Sequence, residues 1–182
     1  MVDVEATCWD QPRPRERTEI IEIGAVRIGG DLAVVDEFAS FVRPVVEPKL
    51  SAFCTDLTSI TQTDVDAADP FSMVFRSFLD WIGEGDRRLC SWGFYDVGQF
   101  QLDCARHGMV FPDDFEARHL NLKTEFAAWQ RIKRCGLAAA LAHLEVPLVG
   151  THHRAIDDAR NTATIARRFL ADHPVGRARP VP

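Results

Sequence analysis

Five residues of this 182-residue chain have the types and spacing for metal-assisted hydrolysis: Asp3, Glu5, Asp96, His153 and Asp158. Asp3 and Glu5 lie two apart in a short apolar run, Met1-Val2-Asp3-Val4-Glu5-Ala6. In a strand, alternate side chains share a face, so the two carboxylates stand side by side. Adjacent acids in an apolar strand are costly unless a positive charge neutralises them. A hard divalent cation such as Mg²⁺ does so through oxygen ligands. Two such ions about 3.5–4 Å apart can hydrolyse a phosphodiester, one activating a water and the other holding the leaving oxygen. Singly, each element has an ordinary explanation. Acids at a strand edge are commonly solvated, Asp96 stands where a helix cap would stand, and a histidine such as His153 is commonly a surface group.

The elements that must position these groups are legible in outline. Residues 19–28 are rich in Ile and Val and predict a strand. Gly29-Gly30-Asp31 predicts a turn, and residues 32–43 a returning strand closed by Pro44. Ser51 caps a short helix over 51–60. Pro70 opens a longer helix through Trp81, with Phe71, Val74, Phe75, Phe78 and Leu79 at helical spacing and Gly83 as its stop. Residues 88–92 predict a buried strand leading to Asp96, with Trp92 in the core, followed by a helix over 96–107 stopped by Gly108. Residues 117–122 predict a fifth strand, with helices over 123–133 and 137–144. The last helix starts near Ile156, and Ile156, Ala159, Ala163, Ala166 and Leu170 form its core face. From Pro174 the composition predicts a disordered tail, which gives one domain over 1–173 and a tail over 174–182. A hairpin followed by strands alternating with helices predicts an α/β fold with a mixed sheet.

Hydrophobic content of 46% and charged content of 26% are those of a globular domain. No apolar run is long enough for a membrane span, and the amino terminus has no signal-peptide pattern. Five scattered cysteines, none in a Cys-x-x-Cys pair, predict neither a disulfide framework nor a zinc site and suit a reducing cytoplasm. A net charge of −6 argues against a broad electrostatic clamp on nucleic acid. It is compatible with an enzyme acting on the last few nucleotides, where bound cations carry the local charge. Basic residues cluster twice, at Arg13, Arg15 and Arg17 and at Arg131, Lys133 and Arg134. The first cluster, close behind Asp3, is the better place for a phosphate contact.

The wording around the five residues resembles one family. Asp3-Val-Glu-Ala-Thr-Cys8, Ser91-Trp-Gly-Phe-Tyr-Asp96 and His153-Arg-Ala-Ile-Asp-Asp-Ala-Arg-Asn-Thr-Ala163 are similar, in order, to the three motifs of the DEDDh 3′→5′ exonucleases. Glu19-Ile-Ile-Glu-Ile-Gly-Ala-Val26 and Leu50-Ser-Ala-Phe-Cys-Thr-Asp-Leu-Thr-Ser-Ile-Thr61 narrow the likeness to the subgroup that trims histone-messenger ends and small interfering RNAs. The resemblance runs from residue 1 to about residue 172.

It implies a ribonuclease H-like fold, with a five-stranded mixed sheet in the order 3-2-1-4-5 and helices on both faces. It also implies a 3′→5′ exoribonuclease that hydrolyses single-stranded RNA tails or short oligonucleotides to nucleoside 5′-monophosphates. Two Mg²⁺ or Mn²⁺ ions would serve as cofactors. Asp3, Glu5 and Asp158 would hold one ion, Asp3 would be shared with the second, and Asp96 would complete the site. His153 would be the general base, since an imidazole of pKa about 6.5 accepts a proton at neutral pH. Spacing alone leaves Asp157 and His152 as competitors. The family's His-x4-Asp pattern selects His153 and Asp158, and puts Asp157 at the helix start in a capping or solvent role. Phe53 and Leu57 would sandwich the terminal base against Tyr95, and backbone groups of Ala6 and Thr7 would meet its sugar, where a 2′-hydroxyl distinguishes RNA from DNA.

The chain departs from the family pattern twice. Tyr95 replaces a frequent tryptophan, and only Met1 and Val2 precede the first acid of a strand that usually has a longer apolar start. The alternatives are a proofreading-type 3′→5′ DNA exonuclease and a non-catalytic nucleic-acid-binding module. The presence of all five residues argues against the second.

Overall fold

The computed structural model describes residues 1–85 and 87–173; the tail expected from Pro174 lies outside them. β1 (Val2–Ala6), β2 (Ile20–Ile28) and β3 (Val34–Phe41) form an antiparallel sheet in that order. The β2–β3 hairpin forms as predicted, but its left-handed residue is Leu32 (φ 64°) rather than a glycine.

α1 (Ala52–Thr58) begins where Ser51 predicts, with the Ser51 hydroxyl accepting the Cys54 N–H at 3.0 Å. α2 (Gln62–Asp66) follows, closed by reciprocal Thr61–Asp64 bonds that make a capping box. The pattern reading missed this short helix. α3 (Phe71–Ile82) starts after Pro70 and stops at Gly83, as expected. β4 (Cys90–Ser91) leads to α4 (Tyr95–Arg106), and Gly108 closes that helix with φ +62° while the Met109 N–H donates to the Cys104 carbonyl at 2.8 Å.

Two expectations need correcting beyond α4. The strand expected over 117–122 shrinks to β5 (Leu120–Asn121), because Pro112 opens a short helix, α5 (Asp113–Ala117). The helix expected over 123–133 is α6 (Leu122–Gln130), ended by Arg131 in the left-handed conformation. α7 (Leu137–His143) and α8 (Ala155–Asp172) are the last elements among the described residues.

Helices cover both faces of the three-stranded sheet, as an α/β fold requires. On one face Val2, Val4, Ile23 and Ala25 pack against Phe71, Phe75 and Phe78 of α3 and Val97 and Phe100 of α4. On the other, Val26 meets Ala159 and Ala163 of α8. α8 sits close because β2 has Gly24 beneath its first turn. A Cβ there would lie 2.1 Å from the Ile156 nitrogen and 2.2 Å from the Ala155 carbonyl carbon. A second core gathers Cys90, Leu122, Phe126, Leu141, Ile165 and Phe169. Trp92 packs against it half-buried and donates its indole N–H to the Cys135 carbonyl at 3.1 Å.

The order of a single five-stranded sheet is not confirmed by the described residues. β4 and β5 pair in parallel as a separate two-stranded sheet. At the edge of β1 away from β2, the Val4 N–H donates to the Asp96 carboxylate at 3.1 Å. Among the described residues no helix is long and apolar enough to cross a membrane.

Candidate active site

Three elements converge on one point. β1 supplies Asp3 and Glu5, half-buried between the buried Val2, Val4 and Ala6. α8 supplies Asp158 from its first turn, and α4 supplies Asp96 from its own. Carboxylate oxygens of Asp3, Glu5 and Asp158 all lie within 4.8 Å of one another. Asp96 is 5% exposed, and its bond to Val4 ties it to the same strand. It does not cap its helix by a side-chain bond, contrary to its ordinary explanation.

The electrostatics follow from this crowding. Burial, then the charges of Asp96, Glu5 and Asp158, raises Asp3 well above the usual carboxylate range. Burial and then Asp158 push Glu5 up to about 8. Asp96 is raised to about 6 by burial, opposed by hydrogen bonds from the Ser91 side chain and the Val4 N–H and by the charge of Lys123. A donor set made of carboxylates that resist ionising together fits a hard divalent cation held through oxygen.

A pH dependence of stability follows. The unfolded chain releases these protons in the ordinary acid range, while the folded chain keeps the Glu5 proton up to about 8. Stability is therefore present at the acid end and is lost as pH rises through about 8. In EDTA the melting temperature is expected to fall across that window, and Mn²⁺ to restore it most at the alkaline end. Scanning calorimetry with a flat or rising melting temperature in EDTA would contradict the charge crowding.

The two histidines meet Asp158 in different ways. The imidazole bonded to Asp158 is that of His152, whose Nδ1 lies 3.0 Å from Oδ1 and 2.9 Å from Oδ2. His153 donates its backbone N–H to Asp158 Oδ2 at 3.1 Å and stacks its ring on His152 with centroids 4.0 Å apart. His153 has φ +65°, a conformation in which a non-glycine residue is held only by its surroundings. Burial, then the neighbouring His152, lowers its pKa, so the ring is neutral at pH 7. Asp157 faces away from the acids, accepting the Thr151 N–H at 2.9 Å and Arg160 at 3.0 Å.

Phe53 of α1, Leu57 of α1 and Tyr95 of α4 are all exposed, at 41%, 37% and 50%, rather than packed in the core. Thr7 donates its N–H to the Glu19 carbonyl at 2.8 Å. The first basic cluster is organised. Arg15 lies over the Tyr95 ring at 5.5 Å, Arg13 lies over Trp9 at 4.6 Å, and Arg13 and Arg17 both pair with Glu47. Arg131, Lys133 and Arg134 are exposed.

Sequence reasoning passed over His152 in favour of His153, and gave no role to Ser91, Lys123, Gly24 or Glu22. Glu22 left a signal, an acid inside the apolar run Ile20-Ile21-Glu22-Ile23, where an unpartnered charge is costly.

The exonuclease family described as RNase_T matches residues 1–166. The zebrafish (Danio rerio) ERI1 exoribonuclease 2 is 33% identical over 194 residues, covering 94% of this chain; the chain spans only 35% of that relative's length. Among solved structures, the nuclease domain of 3′hExo, a DEDDh family member bound to rAMP, aligns with a TM-score of 0.87 and 31% identity, covering 94% of this chain and 90% of that one. A 3′-exonuclease in 3′-end-specific recognition of a histone mRNA stem-loop aligns with a TM-score of 0.87 and 30% identity, covering 94% and 80%.

Proposed function

The chain belongs to the RNase_T family of exonucleases, and on that premise we propose that it is a divalent-metal-dependent 3′→5′ exoribonuclease acting on single-stranded RNA tails or short oligonucleotides. The observation that carries this reading is the meeting of Asp3, Glu5 and Asp158 within 4.8 Å, with buried Asp96 beside them. In this reading the catalytic domain spans residues 1–173. Its two sheets are the halves of one sheet in the order 3-2-1-4-5, a reading supported by the approach of β4 to β1. All five cysteines are free, which supports a reducing cytoplasmic setting.

Asp3, Glu5 and Asp158 would hold one Mg²⁺ or Mn²⁺ and Asp3 and Asp96 a second, which would supply a water of lowered pKa and charge neutralisation at the phosphoryl group. The remaining work belongs to side chains. His153, neutral at pH 7, accepts the proton of the attacking water. Its backbone bond to Asp158 keeps the base and the ligand in one unit. His152 holds the Asp158 carboxylate in orientation. Phe53 and Leu57 stack on one side of the terminal base and Tyr95 on the other, and Arg15 steadies Tyr95. Ala6 and Thr7 meet the terminal sugar through their backbone, and its 2′-hydroxyl favours RNA.

The test is product release from a 5′-labelled RNA with a single-stranded 3′ tail, in Mn²⁺, Mg²⁺ and EDTA, beside a matched DNA. A ladder shortening from the 3′ end only with metal, faster on RNA, is expected. Faster cleavage of DNA would make the chain a DNA exonuclease, and no cleavage by folded protein would sink the enzyme reading. In the same assay Leu57→Ala is expected to raise KM about tenfold or more with little change in kcat, since stacking is worth ~1–3 kcal/mol per base. An unchanged KM would remove Leu57 from the base pocket.

A further inference from the structure

We propose that Glu22 and Arg154 act as a positioning pair that seats the first turn of α8, and with it His153 and Asp158, against Asp3 and Glu5. The proposal rests on the exonuclease reading of that site and extends it to two residues outside the set of acids and histidine. Glu22 is 2% exposed and stands directly opposite Glu5 in the β1–β2 register, on the same face. Acids so placed repel each other, and a free carboxylate there would compete for the cation. Arg154 withdraws it from that competition. Its Nε donates to Glu22 Oε2 at 3.1 Å and its Nη2 to Oε1 at 3.0 Å, the bidentate geometry that matches a guanidinium to a carboxylate.

The same carboxylate caps a helix from another element. Ala155, the first residue of α8, donates its N–H to Glu22 Oε2 at 3.0 Å. That N–H is one a helix cannot satisfy internally, and negative charge at this end complements the helix dipole. The residue at the N-cap, Arg154, provides no side-chain cap of its own, so β2 provides one. The Arg154 guanidinium also lies over the Phe41 ring of β3 at 5.2 Å. His153 therefore sits between a neighbour clamped to β2 and a backbone N–H fixed on Asp158. This explains how a non-glycine residue is kept at φ +65°. The acid that looks like a surplus metal ligand is the residue that aims two others.

Glu22→Gln and Arg154→Gln, singly and together in the full chain, test the pair. The measurements are Mn²⁺ affinity by titration calorimetry, and kcat and KM on the 5′-labelled RNA. Each single variant is expected to lose about 10–100-fold in Mn²⁺ affinity or kcat, the range for groups that orient metal ligands. KM should stay within about threefold, because removing an aiming interaction leaves uniform substrate binding intact. The double variant should lose no more than the worse single one, since coupled partners act as a unit. Folding is checked by circular dichroism. Should Glu22→Gln not fold, Arg154→Gln, whose side chain is 27% exposed, carries the test. Folded single variants with wild-type Mn²⁺ affinity and kcat, or additive losses in the double variant, would overturn the pair. A wild type that binds no Mn²⁺ and cleaves nothing would instead overturn the reading of the site, a distinguishable failure.

Discussion

Asp3→Asn is expected to abolish metal-dependent cleavage while raising the melting temperature of the metal-free chain. Asp3 is pressed by every acid around it. Burial raises its pKa first, and Asp96, Glu5, Asp158 and Glu22 all add to the rise. In the absence of a cation the fold therefore resists its ionisation. The amide keeps the shape and removes the charge. In the proposed reading Asp3 would be the ligand shared between the ions, and the remaining acids would lose it. Losing several kcal/mol of transition-state stabilisation corresponds to roughly a 10³-fold or greater fall in kcat. The stability effect runs the other way. In EDTA near pH 8 the variant should melt higher, by about 2–4 °C for each kcal/mol of repulsion relieved. Added Mn²⁺ should raise the melting temperature of the wild type and leave the variant nearly unmoved. Turnover within about tenfold of wild type would take Asp3 out of the site, because a tenfold effect is only ~1.4 kcal/mol. A lower melting temperature in EDTA would mean that the buried acids are not in conflict. The opposite movement of activity and stability is what a site strained for function should show.

Gly24→Ala is expected to damage the site without touching any acid. The added methyl would meet backbone rather than a flexible side chain, at 2.1 Å from the Ile156 nitrogen and 2.4 Å from the Ala155 oxygen. Backbone cannot rotate away, so α8 must lift from β2 at its first turn. Overpacking of this kind costs about 1–3 kcal/mol. The functional loss should be larger than the stability loss suggests, because Asp158 and the Ala155 N–H bond to Glu22 ride on the displaced turn. A misplacement near 1 Å costs on the order of 10²-fold in rate. A folded variant with wild-type kcat and Mn²⁺ dependence would show that the α8 start tolerates displacement. Chemical denaturation beside the oligonucleotide assay separates the two contributions.

The parts of the fold that were legible in the sequence share a short range. Ser51, Pro70 and Gly108 act within a few residues of themselves, through a cap, a fixed φ and a left-handed closure, and each element they bound formed as expected. β1 is the same case, since period-two alternation alone puts Asp3 beside Glu5. The corrections fall where local signal is thin. β4 and β5 are two residues each, too short to show a period, and α2 and α5 are five residues each. At the edge of β1 away from β2, the partner of the Val4 N–H is a carboxylate 92 positions away.

Sequence sets the chemistry available to this protein: which residues are acids, which is the neighbouring imidazole pair, and that Asp3 and Glu5 share a face. It also determined the apolar stripe that buries α8. The tertiary structure alone decided that Asp158 arrives within 4.8 Å of Asp3 and Glu5 and that His152 rather than His153 lies against its oxygens. It alone decided that Glu22 is held by Arg154 instead of joining the site. The physical reason is that propensity and periodicity act along a few residues of chain. The partner of a buried charge is set by which distant element the packing brings beside it, and at Gly24 that choice rests on the absence of a single methyl group.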